Sequence, residues 1–273
     1  MNGGWHRAPV TPAMLYSKPE EIESGGTRMA EVTGVRVGSR VADFELPDQQ
    51  GYPWCLSGQL EEGPVVLVFY RGDWCSYCNG QLASFARKFE EFERRGAQIV
   101  GISVDPPQNN ARMVGKLRLP FPLLSDPRAE LITRYGLWDP KDRVARPSIL
   151  VVDRSGMVRY LYSGSDFADR PGDDEVFGVL KGLEGGIERI TGEPEIAVTG
   201  PEARSASIRP DKRPMALDQL LVYYRGAYFA TVALENRFGE MGRSGRSASR
   251  EVSRYQAMIE RYWEALEETS KLG

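Results

Sequence analysis

Residues 65–78 have the sequence Val65-Val66-Leu67-Val68-Phe69-Tyr70-Arg71-Gly72-Asp73-Trp74-Cys75-Ser76-Tyr77-Cys78. The continuous run of β-forming apolar residues up to Tyr70 predicts a strand buried on both faces. After it, apolar residues recur at helical spacing, at Leu82, Phe85, Phe89 and Phe92. The two cysteines are therefore predicted to lie at a strand-to-helix junction.

This position favours thiol chemistry. The first turn of a helix has unpaired backbone N–H groups and partial positive charge, which stabilise a thiolate. The pKa of a cysteine there falls from ~8.5 to ~7 or lower, so that the side chain is nucleophilic at neutral pH. Cys75 and Cys78 are also close enough in sequence to cycle between dithiol and disulfide.

Composition limits the class of protein. The chain has 273 residues, 41% of them hydrophobic, with a formal charge of −3 and a pI near 5.5. This balance argues against nucleic acid or an anionic membrane as the main partner. No apolar run approaches the ~20 residues of a membrane span, and the first 30 residues lack a signal-peptide core. With only two of three cysteines close in sequence, the chain is predicted to be cytoplasmic, in a reducing compartment.

Periodicity along the chain predicts an α/β fold. A hairpin at a sheet edge is expected at 41–56, and a parallel strand–helix–strand crossover follows, with its helix ending near Arg95 before Gly96. Next come a helix over 106–117, a strand over 121–124, a helix over 128–135, an antiparallel hairpin over 148–162 and a helix over 176–190. This order predicts a thioredoxin-like three-layer sandwich over residues 34–191.

Three further segments flank this domain. Residues 1–33 are rich in Gly and Pro and are predicted to be a flexible arm. Residues 192–213 are predicted to be a linker. Residues 214–272 carry two apolar stripes at helical spacing and are predicted to form a helical hairpin that packs on the domain or forms a homodimer.

From Val37 to about Ser163 the chain resembles the peroxiredoxin family, in the alkyl hydroperoxide reductase and thiol-specific antioxidant branch of the thioredoxin fold. The resemblance is carried by Gly38 to Leu46, Val65 to Tyr70 and Ile149 to Gly156. In that family a proline, a threonine and the peroxidatic cysteine follow the apolar strand. Counting from the strand puts these positions on Arg71, Cys75 and Cys78.

Two of these three positions differ from the family, and the differences resemble thioredoxin. The family's active-site arginine position falls on Pro147, with Arg146 one residue earlier. Trp74-Cys75-Ser76-Tyr77-Cys78 is similar to the thioredoxin motif, which faces a cis-proline, so the resemblance predicts a cis peptide bond at Pro147. The chain is similar to peroxiredoxin-like proteins that carry a Phe-Tyr-Arg-Gly-x-Trp-Cys motif.

Two redox functions follow. In a thiol peroxidase, Cys78 attacks a hydroperoxide and Cys75 resolves the sulfenic acid, after which thioredoxin or another thiol reductant reduces the disulfide. Arg146 would supply positive charge near the thiolate. In a thiol–disulfide oxidoreductase, Cys75 attacks a partner's disulfide and Cys78 resolves it, with Pro147 shaping the partner groove.

A third function is a binding module whose cysteines are structural or hold a metal. A single Cys-x-x-Cys pair gives two of the four ligands of a structural zinc site, so no metal and no cofactor are predicted. Trp74 and Tyr77 are expected to cover the thiols, and the alternative is that they contact the substrate. Arg71 is expected either to stabilise the thiolate or to pair with Asp73.

Overall fold

The computed structural model describes residues 34–183 and 190–272. The strands are β1 (Phe44–Pro47), β2 (Pro53–Cys55), β3 (Val65–Phe69), β4 (Gln98–Ser103), β5 (Leu123–Ser125), β6 (Trp138–Asp139), β7 (Val144–Ala145), β8 (Ser148–Val152), β9 (Val158–Ser163) and β10 (Ile196–Ala197). The helices are α1 (Leu56–Glu62), α2 (Ser76–Arg87), α3 (Phe89–Glu93), α4 (Pro107–Leu117), α5 (Glu130–Arg134), α6 (Asp173–Leu180), α7 (Gly200–Ser205), α8 (Leu217–Glu240) and α9 (Arg246–Lys271). The predicted arm over 1–33 lies outside the described residues.

The central sheet is mixed and has the strand order β5-β4-β3-β8-β9. β3 pairs in parallel with β4, as the crossover pattern predicts, and in antiparallel fashion with β8. β9 is antiparallel to β8, which makes β9 run in the same direction as β3. The carboxyl ends of β3, β4 and β9 therefore lie along one edge of the sheet.

The central strand β3 is buried on both faces, as predicted. Val66, Val68 and Tyr70 point into one hydrophobic core, whereas Val65, Leu67 and Phe69 point into the other. The first core is shared with α2, α4, α6, α8 and α9, and the second with α1, α5 and α7. Helices on both faces of the sheet give the three layers of a thioredoxin-like sandwich.

The predicted hairpin at 41–56 is present as β1 and β2, but it is not at the edge of the central sheet. It belongs to a separate sheet of order β10-β1-β2. The reason is burial, because Phe44 and Leu46 are fully enclosed in the second core and hold β1 over the face of the central sheet.

The segment predicted as a linker, 192–213, is structured. β10 pairs in parallel with β1, and α7 places Ala203 in the second core. Thr199 caps α7, since its side chain accepts a hydrogen bond from Glu202 N and the Glu202 carboxylate accepts one from Thr199 N. The polar composition predicts a linker, but strand pairing with β1 and packing of Ala203 order this segment in the folded protein.

Two helix boundaries also differ from the predictions. The helix after the cysteines is interrupted at Lys88 and continues as α3, while Gly96, with φ +60°, ends it as expected. The helix predicted over 176–190 is observed as α6, which starts at Asp173 and ends at Leu180. Residues 184–189 lie outside the described residues.

The predicted C-terminal helical hairpin is present as α8 and α9, which we call the C-terminal hairpin. It starts at Leu217 and not at Pro214, and it packs on α2. Close approach is possible because α2 has a glycine at the contact: a Cβ at Gly80 would lie 2.3 Å from Tyr224 Oη and 2.7 Å from Tyr262 Cβ. In the described ranges, no helix is long and apolar enough to span a bilayer.

Candidate active site

Both cysteines of the motif lie at the N-terminus of α2, at the strand-to-helix junction that the sequence predicts. Cys75 is the N-cap residue, and its Sγ accepts a hydrogen bond from Cys78 N at 3.4 Å. The two sulfurs are 2.7 Å apart and unbonded. Cys75 is 3% exposed and Cys78 is fully buried. The pair is therefore set for dithiol chemistry in a site shielded from solvent.

The two thiols have unequal electrostatic surroundings. Cys78 Sγ accepts from Arg71 N at 3.4 Å and from Arg170 Nη2 at 3.5 Å. Burial alone raises the pKa of Cys78, but the hydrogen bond with Cys75, the charge of Arg170 and the Arg71 N–H together lower this pKa to about 6. For Cys75, burial and the neighbouring Cys78 raise the pKa well above its ordinary value. The surroundings therefore lower the pKa of Cys78 and raise that of Cys75, while the two sulfurs stay in hydrogen-bond contact.

Arg170 is the charged side chain beside Cys78 Sγ, and sequence reasoning missed it. It lies in the β9–α6 loop (residues 164–172), is 4% exposed, and donates from Nε to Gln81 Oε1 at 3.0 Å. The loop itself has no motif. The signal that could have found Arg170 is topological, because the predicted hairpin over 148–162 brings the end of β9 to the same sheet edge as the end of β3.

The structure does not bring Arg146 to the thiolate. Its side chain is exposed, and Nη2 donates to Gly136 O at 2.6 Å. Arg146 N also donates to Leu137 O, which fixes the backbone in an orientation that leaves the guanidinium at the surface. The predicted role of Arg146 is wrong, and Arg170 provides the positive charge instead.

Pro147 lies next to the end of β3, on the side of the cysteine motif that the resemblance implies, but its peptide bond is not cis. β8 begins at the next residue, Ser148, which pairs with Phe69. The described residues contain no cis peptide bond. Pro147 O accepts from Gly164 N at 2.8 Å. The trans form is the one that X–Pro bonds favour by about 0.5–1 kcal/mol.

Arg71 contributes to the site through its backbone and its side chain. Its N–H binds the Cys78 sulfur, while its guanidinium forms an ion pair with Asp142 and not with Asp73. The guanidinium carbon lies 5.1 Å from the centroid of Trp74. Lys212 Nζ lies 3.9 Å from the same ring centroid, so two cations contact this half-buried indole.

A buried ionic network supports the loop that leads to the cysteines. Asp73 N donates to Asp105 Oδ2 at 2.6 Å, and Arg209 binds both carboxylates, at 2.7 Å to Asp73 and 2.9 Å to Asp105. Burial and the Asp73 charge raise the pKa of Asp105 to about 7, and Arg209 opposes this. Arg209 comes from the segment predicted as a linker, which therefore fixes the carboxyl ends of β3 and β4.

Aromatic side chains cover the thiols on the side of the C-terminal hairpin. The Tyr77 ring is surrounded by four other rings with centroids 5.5–6.2 Å away, from Phe167, Tyr223, Tyr224 and Tyr255. The Tyr77 hydroxyl also bonds to the Tyr255 hydroxyl, and Tyr224 Oη donates to Ser76 O at 3.0 Å. The cover predicted from Trp74 and Tyr77 is thus built largely from residues of the C-terminal hairpin.

Cys55 lies away from the pair. It is half-buried at the N-cap of α1, with Sγ 3.2 Å from Ser57 Oγ. Across the described parts of the chain, no three His, Cys, Asp or Glu side chains are grouped so that they could hold a metal ion.

A mixed sheet with helices on both faces and two thiols at the β3–α2 junction defines a thioredoxin-fold redox protein. The comparisons identify the family. Residues 37–161 match the model of the AhpC/TSA family. The chain is 33% identical over 183 residues to chloroplastic peroxiredoxin Q of Sedum lineare, covering 66% of this chain and 95% of the relative.

Two further proteins support the same family. Chloroplastic peroxiredoxin Q of Triticum aestivum is 33% identical over 165 residues, which cover 58% of this chain and 71% of the relative. The crystal structure of peroxidoxin BcpB from Mycobacterium tuberculosis superposes with a TM-score of 0.50 at 31% identity, over 55% of this chain and 98% of that one. The chain belongs to the AhpC/TSA family of peroxiredoxins and is a thiol-dependent peroxidase. Arg170 and the C-terminal hairpin lie outside the residues matched by the family model.

Proposed function

We propose that Cys78 attacks the hydroperoxide and that Cys75 resolves the product. The observation that carries this assignment is the inequality of the two thiols. Cys78 faces Arg170 and the Arg71 N–H, and its pKa is lowered to about 6, whereas burial raises the pKa of Cys75. At pH 7 Cys78 is then mostly thiolate, which is the nucleophilic form.

The reaction has two steps on these residues. The Cys78 sulfur attacks one oxygen of the hydroperoxide; the S–O bond forms as the O–O bond breaks, and water or an alcohol leaves after taking up a proton. The Cys75 thiol then attacks the sulfenic acid sulfur, a disulfide forms and water leaves. The dithiol supplies both electrons, and the separation of 2.7 Å between the sulfurs allows resolution without a large movement.

The alternative is a thiol–disulfide oxidoreductase that acts on protein disulfides. That activity needs an exposed, ionised Cys75 to attack first. Cys75 is 3% exposed, and its pKa is raised. The raised pKa of Cys75 favours the peroxidase, whereas exposure does not separate the two activities, because Cys78 is buried as deeply.

Side-by-side assays of peroxide consumption and insulin disulfide reduction, with the wild type and each single-cysteine variant, test the assignment. We expect wild type to consume peroxide and Cys78→Ser to lose this activity. Cys75→Ser should stop after one turnover, with the Cys78 sulfenic acid trapped by dimedone. Insulin reduction faster than peroxide consumption, or a dimedone adduct on Cys75, would reject the proposal.

Partners and location stay predictions. Thioredoxin or another thiol reductant is the expected electron donor. A cytoplasmic location is supported by the cysteine usage, although the relatives from Sedum lineare and Triticum aestivum are chloroplastic. A homodimer through the C-terminal helices is supported by Val222 and Phe229, which are exposed on α8. Sedimentation of wild type and Phe229→Asp tests the homodimer, since the substitution should yield monomer.

A further inference from the structure

The C-terminal hairpin closes the approach to the thiols. Cys75 and Cys78 are almost completely buried, in one hydrophobic core with Tyr224, Met258 and Tyr262 of the hairpin. A hydroperoxide must bring an oxygen into contact with the Cys78 sulfur. The size and shape of the opening beside the hairpin therefore limit which hydroperoxides can react.

The C-terminal hairpin forms hydrogen bonds on two sides of the Cys75–Cys78 motif. On one side, Tyr224 binds Ser76 O and the Tyr255 hydroxyl binds that of Tyr77. On the other, the hairpin binds the β9–α6 loop, since Arg254 donates to Arg170 O at 3.3 Å and to Asp169 Oδ1 at 3.3 Å. The hairpin and this loop thus form one wall around the thiolate.

One opening lies within this wall. A cavity of about 140 Å³ is present between the β9–α6 loop and α9, and Asp169, Arg170, Arg254 and Tyr255 line it. Arg170 also contacts Cys78 Sγ, at 3.5 Å, so the same residue borders both the cavity and the Cys78 sulfur. The lining is mostly polar, and the volume holds a molecule of a few heavy atoms.

We propose that the C-terminal hairpin makes this enzyme selective for small hydroperoxides of the size of hydrogen peroxide. They enter along the cavity between α9 and the β9–α6 loop, where Arg170 and Arg254 offer hydrogen bonds to oxygen. Bulky aromatic hydroperoxides are excluded by the Tyr77 and Tyr255 rings while the hairpin is docked. The inference rests on the proposed attack by Cys78.

Single-turnover oxidation of the pre-reduced full-length protein tests the selectivity. The protein is mixed with hydrogen peroxide or cumene hydroperoxide, quenched with acid and alkylated, and mass spectrometry gives the oxidised fraction of the Cys75–Cys78 pair. The rate constant for hydrogen peroxide is divided by that for cumene hydroperoxide, and this ratio is divided by the same ratio measured with free dithiothreitol. The second division corrects for the different intrinsic reactivities of the two peroxides. For wild type we expect a normalised preference for hydrogen peroxide of about tenfold or more.

Tyr255→Ala removes the ring that closes the cover and should reduce this preference about tenfold, mainly by accelerating cumene hydroperoxide. Tyr52→Ala is the matched control, because it removes an exposed tyrosine ring that lines neither the cavity nor the cover and should leave the preference unchanged. A normalised wild-type ratio near one, or a Tyr255→Ala ratio equal to that of wild type, would overturn the selectivity. If neither peroxide oxidises the pair in wild type, it is the proposed attack by Cys78 that fails.

Discussion

Replacing Arg170 with methionine removes the positive charge nearest the Cys78 sulfur while keeping a long side chain. Arg170 Nη2 lies 3.5 Å from Sγ, and Arg170 is 4% exposed. Opposite charges at this distance attract by about 4–5 kcal/mol at an effective dielectric constant of about 20. At about 1.4 kcal/mol per pH unit this sets an upper limit of about 3 pH units, since water entering the site compensates in part. We expect the pKa of Cys78 to rise from about 6 by about 2 pH units.

The assay is the rate of iodoacetamide alkylation of Cys78 from pH 4.5 to 10 in the reduced protein with both cysteines present, and tandem mass spectrometry separates alkylation at Cys78 from that at Cys75. At pH 7 the thiolate fraction should fall about tenfold in Arg170→Met. Arg146→Met is the matched control, because Arg146 is exposed and bonded to Gly136 O, and it should not move the midpoint. An unchanged midpoint in Arg170→Met, or an upward shift in Arg146→Met, would refute the electrostatic assignment. Circular dichroism of both variants checks that they remain folded.

Three further outcomes are expected. Oxidised protein should contain a reversible disulfide between Cys75 and Cys78, and peptide mapping that finds either joined to the third cysteine would contradict the site. Gly80→Ala should lower the melting temperature and expose the C-terminal hairpin to protease, because the new methyl group meets two tyrosines of the hairpin. The control Gly115→Ala has open space around the new methyl group and should be neutral or stabilising by up to about 1 kcal/mol. Equal behaviour of the two variants would argue against tight docking. Burial raises the pKa of Asp126 to about 7, above its unfolded value, so the folded state binds more protons and loses stability as pH rises from about 4 to 7. In denaturant titrations at pH 5 and pH 8, Asp126→Asn should reduce this loss of stability by at most about 3 kcal/mol. An unchanged loss would show that Asp126 is not its source.

The C-terminal hairpin shows how far sequence periodicity reaches. Its two apolar stripes predict two helices that must be packed against something, and α8 and α9 are docked on α2. The stripes do not show which tyrosines contact the thiols. Tyr224 and Tyr255 are ordinary members of an apolar pattern, and only the docking geometry brings their hydroxyl groups to the cysteine motif.

The segment over 192–213 shows the opposite case. Its Pro, Gly, Ser and charged residues predict a linker because such composition cannot form a core by itself. In the folded chain Ala203 is buried and Arg209 binds Asp73 and Asp105. An arginine in a polar segment has no local signal for burial, since its partners lie more than 100 residues away in the sequence.

The sequence by itself determined the central strand β3, the start of α2 and the position of Cys75 and Cys78 between them. These features depend on local properties, namely a run of apolar β-formers, helical spacing and the chemistry of a helix N-terminus. Only the tertiary structure decided that Arg170, and not Arg146, lies beside the Cys78 sulfur, and that the surroundings lower the pKa of Cys78 and raise that of Cys75. The physical reason is that a thiol pKa depends on charges and burial within a few ångströms, and those neighbours come from distant parts of the chain.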